Sequence, residues 1–326
     1  MKICVSGGCG FIGTKLCEKL LDLGHVVINI DALTYAANRK MLVKLCEARN
    51  YYFKQGDVRD NQLVLQFIRA FNCDAVIHLA AESHVDRSIS GPQSFIDANV
   101  VGTYGVLEAI RAYLPDAPDG FRFVHVSTDE VFGDLGQDDP PFTEHSRYRP
   151  SSPYSASKAA ADHLVRAWGR TYGLPYMITY GANAYGPGQL PDKLVPMCIT
   201  NGLAAKPITI NGNGENIRTW LHVDDHVDGL IAVLERGQNG EAYCLSSGEE
   251  ISNIDMAKQI CKLLDIADPN VIGHVGLITF TADRPGNDLR YAMDCWSTER
   301  RLGWAAKHEL AESLPSIIQW YMDNCN

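Results

Sequence analysis

Short apolar runs alternate with amphipathic stretches along the first 180 residues of the chain. The apolar runs are rich in Val and Ile, as at 25–30, and predict buried strands. The stretches between them carry apolar residues at helical spacing and predict helices at 14–23, 61–71, 94–114 and 153–172. This alternation predicts an α/β fold with a doubly wound parallel sheet of the Rossmann type.

The pattern changes after residue 180, where Pro and Gly interrupt short strand-like runs. Helical spacing returns at 253–264 and 307–323. We therefore predict a sheet domain at 1–180 and a smaller, mixed α/β domain at 181–326. The helical run 223–236 and the strand-like run 242–245 have the pattern of another sheet unit. The chain is thus expected to return to the first domain at about 223–246.

A glycine-rich turn follows the first strand-like run. Gly7, Gly10 and Gly13 allow a tight turn, close approach of a pyrophosphate, and close packing of the next helix, whose N-terminus attracts anions. The second strand ends at Asp31, and a carboxylate there accepts hydrogen bonds from ribose hydroxyls and repels a 2′-phosphate. The turn and the carboxylate together predict an NAD site.

Residues at the ends of the following strands complete the predicted cofactor site. The apolar run 75–81 ends in small residues, which allow the backbone to lie close to a dinucleotide. Asp57 is expected to hold the adenine, although a turn residue before a helix is an equal alternative. The remaining residues predicted to contact the cofactor are Phe11, Ile12, Leu33, Thr34, Val58, Leu79, Ala80, Ala81 and Ser83.

Composition and charge narrow the classes of function. The chain has 326 residues, 46% of them hydrophobic, and a formal net charge of −10, which argues against nucleic-acid binding. No apolar run approaches membrane-spanning length, and the first strand begins at residue 2, so we expect neither a membrane span nor a signal peptide. Ten cysteines without a Cys-x-x-Cys pair predict no metal site and favour the cytoplasm.

Two polar motifs supply candidate proton chemistry. Asp129 and Glu130 follow the apolar run 121–126 and offer a separate acid and base. Tyr154 and Lys158 share one face of a predicted helix, and an ammonium beside a phenol is expected to lower the pKa of that phenol. Each motif alone is more often a solvated loop or a chance spacing. The cofactor site that precedes them favours the catalytic interpretation.

With these motifs in place, the chain resembles the nucleoside-diphosphate-glucose 4,6-dehydratases, a family of extended short-chain dehydrogenases/reductases. The discriminating element is Thr128-Asp129-Glu130, because related 4-epimerases carry small hydroxyl residues there. The resemblance runs nearly from end to end. Its other matching segments are 31–36, 78–88, 131–133, 185–187, 191–196, 217–220 and 283–288.

The resemblance implies dehydration of a nucleoside-diphosphate hexose, such as dTDP-glucose, to a 4-keto-6-deoxy sugar through tightly bound NAD. Tyr154 would remove the 4-hydroxyl proton while C4 gives a hydride to NAD⁺, with Lys158 lowering the phenol pKa and Thr128 binding the sugar 4-oxygen. Glu130 would then take the C5 proton and Asp129 would protonate the departing 6-hydroxyl. The hydride would finally return to C6.

The resemblance also implies a set of substrate contacts. Arg218 and Arg284 are suited to two-pronged contacts with a diphosphate. His84, Asp86 and Arg87 match family positions too and are interpreted as loop-ordering residues. The predicted substrate contacts are Ser83, Thr128, Asn183, Lys193, Leu194, Asn211, Arg218, Arg284 and Asn287.

Several positions depart from the family pattern. The segment Tyr180-Gly181-Ala182-Asn183-Ala184 replaces the usual Arg-Cys-Ser-Asn-Asn, Asn211 replaces Tyr, Asn287 replaces His, and the loop 246–249 also differs. These changes lie in the nucleotide-binding half or beside the sugar. UDP-glucose or a less common nucleotide sugar therefore remains an alternative substrate.

Two other functions are disfavoured by the same residues. A 4-epimerase would not need the Asp129-Glu130 pair, and a catalytically silent NAD-sensing module would be expected to lose Tyr154 or Lys158. The helices 94–114 and 153–172 carry apolar residues on more than one face. Family members pair through the equivalent helices as a four-helix bundle, so the resemblance implies a homodimer.

Overall fold

The computed structural model describes residues 1–268 and 273–324. Its strands are β1 (Lys2–Ser6), β2 (Val26–Asp31), β3 (Tyr51–Gln55), β4 (Ala75–His78), β5 (Arg122–Thr128), β6 (Met177–Gly181), β7 (Asn183–Tyr185), β8 (Ile208–Asn211), β9 (Ile217–His222), β10 (Ala242–Leu245), β11 (Glu250–Ser252) and β12 (Ile278–Thr281).

Helices cover both faces of the large sheet and form part of the smaller lobe. They are α1 (Phe11–Asp22), α2 (Arg39–Leu45), α3 (Asn61–Phe71), α4 (Val85–Ser90), α5 (Gln93–Phe95), α6 (Gly102–Tyr113), α7 (Pro153–Tyr172), α8 (Leu194–Leu203), α9 (Val223–Arg236), α10 (Asn253–Ala267), α11 (Trp296–Leu302) and α12 (Leu310–Asn324). A π-helical segment spans Ile96–Val101, and short 3₁₀ turns span Leu114–Asp116, Asp129–Phe132 and His274–Leu277.

Seven strands form one sheet in the order β10-β6-β5-β4-β1-β2-β3, and every neighbouring pair is parallel. This confirms the predicted doubly wound α/β fold. The strand order reverses between β1 and β4, and the crevice at the carboxyl ends of strands at such a reversal is where open α/β sheets bind ligands. The strand β10 pairs with β6, so the chain returns to this sheet after residue 222.

A smaller lobe carries the other strands. A three-stranded sheet has the order β11-β9-β7, and β12 pairs with β8. A second apolar core lies among α8, α10 and α12, separate from the core of the large sheet. This lobe faces the carboxyl edge of the large sheet through β7, which follows β6 almost directly.

The helices agree with the sequence patterns best where capping signals are clear. The helix α3 spans the predicted residues 61–71, with Asp60 capping its N-terminus, and Ser152 caps α7 together with Ser155 in a capping box. The predicted helix 307–323 begins later, at Leu310, because Asp225 Oδ2 accepts hydrogen bonds from the backbone N–H groups of Lys307 and His308 and holds that stretch out of the helix.

The predicted helix 94–114 is divided into α5, the π-helical segment and α6. The π-helical segment carries Asn99, whose amide accepts from Glu82 N at 2.8 Å and donates to Glu82 O at 3.0 Å and to Ser157 Oγ at 2.8 Å. Asn99 therefore ties the chain after β4 to α7. Among the described residues, no helix is long and apolar enough to cross a bilayer.

The packing of the core of the smaller lobe can be tested with two residues of the helix α10. Leu264 is 0% exposed in that core, whereas Ile266 in the same helix is 79% exposed. Leu264→Ala is expected to lower the free energy of unfolding by about 2–5 kcal/mol, because it leaves a cavity. Ile266→Ala is expected to change it by no more than about 0.5 kcal/mol. Urea unfolding of both variants checks this, and equal losses would contradict the packing described.

Candidate active site

A cavity of about 610 Å³ lies between the carboxyl edge of the large sheet and the smaller lobe. It brings together residues that are far apart in the chain, including all of the predicted catalytic and substrate-binding positions. The predicted residues that line it are Gly7, Gly10, Phe11, Ile12, Gly13, Leu79, Ala81, Ser83, Thr128, Asp129, Glu130, Tyr154, Lys158, Asn183, Lys193, Leu194, Asn211, Arg218, Arg284 and Asn287.

The glycine-rich turn lies at one end of the cavity and fits a dinucleotide diphosphate. Gly7 has φ +79°, and a Cβ atom there would lie 2.6 Å from Ala80 N. Gly10 is the N-cap of α1 and places no capping side chain over the first turn. The backbone N–H groups at this helix N-terminus are therefore accessible to an anion.

Asp31 holds the turn from the end of β2. Its Oδ2 accepts a hydrogen bond from Cys9 N at 2.9 Å, and its Oδ1 accepts one from Leu33 N at 2.7 Å. Leu33 has φ +56°, a conformation that a branched side chain rarely adopts. Asp31, Leu33 and Thr34 lie outside the residues that line the cavity. They are placed beside the glycine-rich turn by these contacts.

Three other predicted cofactor residues also lie outside the cavity lining. Asp57 accepts two hydrogen bonds from the Arg59 guanidinium, at 3.0 and 2.7 Å, and these lower its pKa. Val58 is buried against Gly102 of α6, and the backbone of Ala80 packs on Gly7. The structure thus places Asp57 in a partly exposed ion pair, which agrees with the alternative of a turn residue.

The paired carboxyl groups lie in the 3₁₀ turn that follows β5. Thr128 Oγ1 donates to Asp129 Oδ1 at 3.1 Å and accepts from Glu130 N at 3.3 Å. Asp129 is 1% exposed, and its Oδ2 has no hydrogen-bond partner within the described part of the chain. Burial, and then the charge of Glu130, raise the pKa of Asp129 to about 7.

Glu130 occupies a different electrostatic environment. Burial raises its pKa, but the positive charges of Arg284, Arg218 and Lys193 oppose that shift. The two neighbouring carboxyl groups therefore differ in their tendency to hold a proton. A site with one protonated and one ionised carboxyl group can donate and accept protons at the same time.

Tyr154 and Lys158 are both buried on the face of α7 that points into the cavity. The prediction that Tyr154 has a lowered pKa is wrong for this structure: burial first, and the charge of Glu130 second, raise the pKa of Tyr154. Lys158 Nζ instead donates to Val126 O at 2.8 Å, and burial lowers the pKa of Lys158 to about 8. The desolvation of both groups outweighs the expected attraction between them.

The two-pronged contact of Arg218 with a diphosphate stays a prediction, but Arg218 already makes several hydrogen bonds within the protein. Its Nη1 donates to the carbonyl oxygens of Ile217 and Leu289, and its Nη2 donates to Asn287 Oδ1 and to the carbonyl oxygen of Asp288. A guanidinium has five N–H groups, so these four bonds leave only the Nε–H group. Arg218 is held rigidly, with its guanidinium 4.2 Å from the centre of the Tyr291 ring.

The guanidinium of Arg284 makes fewer hydrogen bonds within the described part of the protein than that of Arg218 does. Its Nε donates to Asn287 Oδ1 at 3.1 Å, and its Nη1 lies 3.7 Å from Asp86 Oδ1. Asn287 thus binds both arginines with one oxygen. On the other side of the cavity, Lys193 Nζ donates to Ser83 O at 3.1 Å and connects the smaller lobe to the chain after β4.

The interpretation of His84, Asp86 and Arg87 as loop-ordering residues stays a prediction, and the structure shows where they lie. They lie at and inside the short helix α4, where His84 Nδ1 accepts a hydrogen bond from Arg87 N and caps the helix. The guanidinium of Arg87 stacks 3.6 Å from the centre of the Tyr35 ring.

Three site residues were not predicted from the sequence. Asn99 ties the chain after β4 to α7, and Asp162 accepts hydrogen bonds from Ser127 Oγ and Tyr148 OH beneath the cavity. His226 lines the cavity with neither ring nitrogen bonded among the described residues. A polar residue on an otherwise buried helical face was the available signal for each of them.

This combination of fold and site defines a class. A doubly wound sheet with a glycine-rich turn, an acidic residue after β2 and a Tyr-x-x-x-Lys helix on the cavity is the architecture of the extended short-chain dehydrogenases/reductases.

Comparisons with known proteins identify the family. The model of the family described as GDP-mannose 4,6 dehydratase matches residues 4–317. The dTDP-glucose 4,6-dehydratase of Salmonella typhimurium is 45% identical over 99% of this chain and 93% of its own length, and that of Neisseria meningitidis is 46% identical over 99% and 94%. The chain therefore belongs to the GDP-mannose 4,6-dehydratase family, and the predicted resemblance to the sugar-nucleotide 4,6-dehydratases is confirmed.

Solved structures agree with this assignment. The dTDP-glucose 4,6-dehydratase DesIV from Streptomyces venezuelae, with NAD and dTDP bound, superposes with a TM-score of 0.92 at 40% identity, covering 99% of this chain and 98% of that one. The UDP-glucose 4-epimerase from Thermotoga maritima, with UDP-glucose, gives a TM-score of 0.88 at 26% identity over the full length of both chains. Overall shape therefore does not separate dehydratase from epimerase.

The raised pKa of Asp129 has a consequence for stability. The pKa of Asp129 is about 7 in the native state and about 3.9 in the unfolded state. Between these pH values the native state binds more protons than the unfolded state does. The contribution of Asp129 to stability therefore becomes less favourable as pH rises from about 4 to about 7. Asp129→Asn removes this cost. The variant is expected to gain stability over the parent from about pH 4 to about pH 7, by up to a few kcal/mol, and to gain no more above that.

Denaturant unfolding at several pH values measures the difference between variant and parent. Ionisation of the other groups is common to both proteins and largely cancels in the subtraction. A difference that stays constant from about pH 4 to about pH 8 would show that Asp129 is ionised normally.

Proposed function

We propose that this protein is a hydro-lyase that converts dTDP-glucose to dTDP-4-keto-6-deoxyglucose and water, the type of enzyme numbered EC 4.2.1.46. The observation that carries the proposal is the buried Asp129, half-protonated near neutral pH, beside a Glu130 that faces three positive charges. Elimination of water needs such an acid and base together. The names of the relatives that cover nearly the whole chain support the same reaction.

NAD is the proposed cofactor. The accessible helix N-terminus after Gly10, the absence of a Cβ at Gly7 and the carboxylate of Asp31 suit its diphosphate and ribose. When bound, NAD⁺ would supply a reversible hydride acceptor beside the hexose. Lys158 would hold the nicotinamide ribose.

Tyr154 and Thr128 would act at the sugar 4-oxygen. Tyr154 would take the hydroxyl proton, and Thr128 Oγ1 would hydrogen-bond the same oxygen. The raised pKa of Tyr154 in this structure means that the phenol must lose its proton against burial and against the charge of Glu130. A positive charge on Lys158 would favour that loss.

Asp129 and Glu130 would carry out the elimination. A ketone at C4 acidifies the C5 proton, which Glu130 would accept, while Asp129 would protonate the departing 6-hydroxyl. The free Oδ2 of Asp129 is available for this donation. The low solvent exposure of Asp129 raises its pKa to about 7, so a large fraction of Asp129 is protonated at neutral pH, where an exposed carboxyl group would be ionised.

The nucleotide and the sugar would be held from the smaller lobe. Arg284 and Lys193 would bind the diphosphate, and Arg218 would contribute its fixed charge. The remaining proposed contacts are Ser83, Asn183, Leu194, Asn211 and Asn287. UDP-glucose stays a second candidate, because Asn211 and Asn287 both line the cavity at positions that depart from the family pattern.

The reaction is tested with dTDP-glucose carrying deuterium at C4. Loss of water is measured by mass, and the position of deuterium in the product by NMR. Deuterium recovered on C6 is expected, and parallel incubations with UDP-glucose and N-acetylated sugars identify the preferred substrate. Conversion to a C4 epimer without loss of water would replace the proposal with the epimerase alternative.

Two matched variants separate the roles of the carboxyl groups in the same assay. With Asp129→Asn in D₂O, substrate recovered from the reaction is expected to carry deuterium at C5, because Glu130 still exchanges that proton, while water loss slows by at least about a hundredfold. With Glu130→Gln, deuterium exchange at C5 and loss of water are expected to slow to the same degree, because both need a base at C5. Equal slowing of exchange and water loss in Asp129→Asn would contradict the assigned roles.

We also propose a homodimer formed through α6, α7 and the π-helical segment. Four apolar residues there are 40–48% exposed, namely Ile96, Val101, Tyr104 and Tyr172. Tyr104→Glu is expected to shift the protein from dimer to monomer at micromolar concentration in light scattering, since it places a charge in the interface. Tyr52→Glu, at a 44% exposed tyrosine on β3, is the control. A parent protein that is itself monomeric would refute the dimer.

The cytoplasm is the proposed location. The nine described cysteines are free thiols, and most are packed in the core. Reduced, unpaired thiols favour a reducing compartment.

A further inference from the structure

A buried cluster of hydrogen-bonded side chains lies beneath the cavity, between α7 and β5. Asp162 stands at its centre: Oδ2 accepts from Ser127 Oγ at 2.7 Å and from Tyr148 OH at 2.9 Å, and Oδ1 lies 3.0 Å from His125 Nε2. Asp162 and His125 are both 0% exposed. A carboxylate removed from water to this degree is costly unless a positive charge or several donors compensate it.

One candidate for that positive charge is Lys158, whose pKa is raised by the charge of Asp162. It precedes Asp162 by one turn of α7, so both project from the same helical face. Lys158 Nζ donates to the carbonyl oxygen of Val126, and the next residue, Ser127, donates to Asp162. The ammonium and the carboxylate therefore bind adjacent residues of β5.

We propose that Asp162 is a positioning residue that keeps Lys158 in its charged form at neutral pH. The inference deepens the proposed function, because the charge on Lys158 is what favours ionisation of Tyr154. The opposing effects on Lys158 support it: burial lowers the pKa of Lys158, and the charge of Asp162 raises it. Without Asp162, burial would act unopposed.

Other ionisable groups share this face, and the charge of Lys158 lowers the pKa of two of them, His78 and His125. Asp129 and Glu130, after β5, raise the pKa of Tyr154, and Asp162 adds a smaller effect in the same direction. Groups that face the cluster are His78 on β4, His125 on β5, Tyr148, Tyr180 on β6 and Arg166 on α7. Charged groups on the remaining elements packed against α7 are Asp86 and Arg87 on α4, Asp97 in the π-helical segment, and Glu108 and Arg111 on α6.

Asp162→Asn removes the charge and can preserve the hydrogen bonds. The amide oxygen can accept from Ser127 and Tyr148, and the amide nitrogen can donate to His125 Nε2 if the imidazole proton moves to Nδ1. His125 Nδ1 has no partner among the described residues, so no existing bond of Nδ1 is lost by that change. Tyr148→Phe is the matched control, because it removes the hydrogen bonds to Asp162 and Tyr180 and leaves the carboxylate.

The pKa of Lys158 is measured directly by NMR of protein labelled at lysine ¹³Cε, with Lys158→Met assigning the resonance. The pKa is expected to fall by about one unit or more in Asp162→Asn and to stay unchanged in Tyr148→Phe. The basic limb of the pH profile of kcat/KM for dehydration is expected to move to lower pH in Asp162→Asn only. Activity at about pH 8 would then fall about fivefold, because the charged fraction of Lys158 falls from about one half to about one tenth.

An unchanged Lys158 titration in Asp162→Asn would overturn the inference, as would an equal shift in Tyr148→Phe. A parent protein that does not dehydrate any nucleotide sugar would overturn the proposed function instead. The NMR titration would still decide the role of Asp162 in that case.

Discussion

Desolvation of ionisable groups at the carboxyl end of β5 is the constraint on which the site depends. Asp129, Tyr154 and Lys158 are all buried there, and burial is the largest influence on the pKa of each. In each case it favours the uncharged form. At the neighbouring Glu130, the positive charges of Arg284, Arg218 and Lys193 oppose the effect of burial, and these residues come from elements distant in the sequence.

Those charges are positioned by the contact between the large sheet and the smaller lobe. Asp134, just after the 3₁₀ turn of the carboxyl pair, accepts hydrogen bonds from Leu289 N and Arg290 N. Arg290 Nη1 in turn donates to the carbonyl oxygen of Asp139. The segment that carries Arg284 and Asn287 is therefore fixed against the segment that carries Glu130. The acid–base pair and its compensating cations form one unit although they lie in different lobes.

The features that depend on neighbouring residues in the chain, such as strands, helices and helix caps, could be predicted from the sequence. The periodicity of apolar residues gave the parallel sheet, and the capping residues Asp60 and Ser152 marked the starts of α3 and α7. The approach of Gly7 and Asp129 to one cavity was predictable because strand ends in a parallel sheet meet at one edge, whereas Arg284 was expected only from the resemblance to the family. Short helices such as α2 and α4 were missed, because they bury too few residues to leave a periodic pattern.

What the sequence could not supply is the balance between burial and charge. The spacing of Tyr154 and Lys158 is visible in the chain, but their desolvation depends on the packing of α7 against β5 and the turn after it. The donors of Arg218 are likewise consumed by carbonyl groups of residues 288 and 289, some seventy residues later in the chain. No local pattern reports either fact.

Asn287 Oδ1 accepts hydrogen bonds from both Arg218 and Arg284. The positions of the two guanidinium groups therefore depend on the same side chain. An imidazole at position 287 would offer one acceptor nitrogen when its other nitrogen donates to Asp283, so it could accept from only one of the two arginines. Exchanging Asn287 would remove one hydrogen bond from each guanidinium at once. The placement of both cations beside the cavity is therefore sensitive to a single side chain.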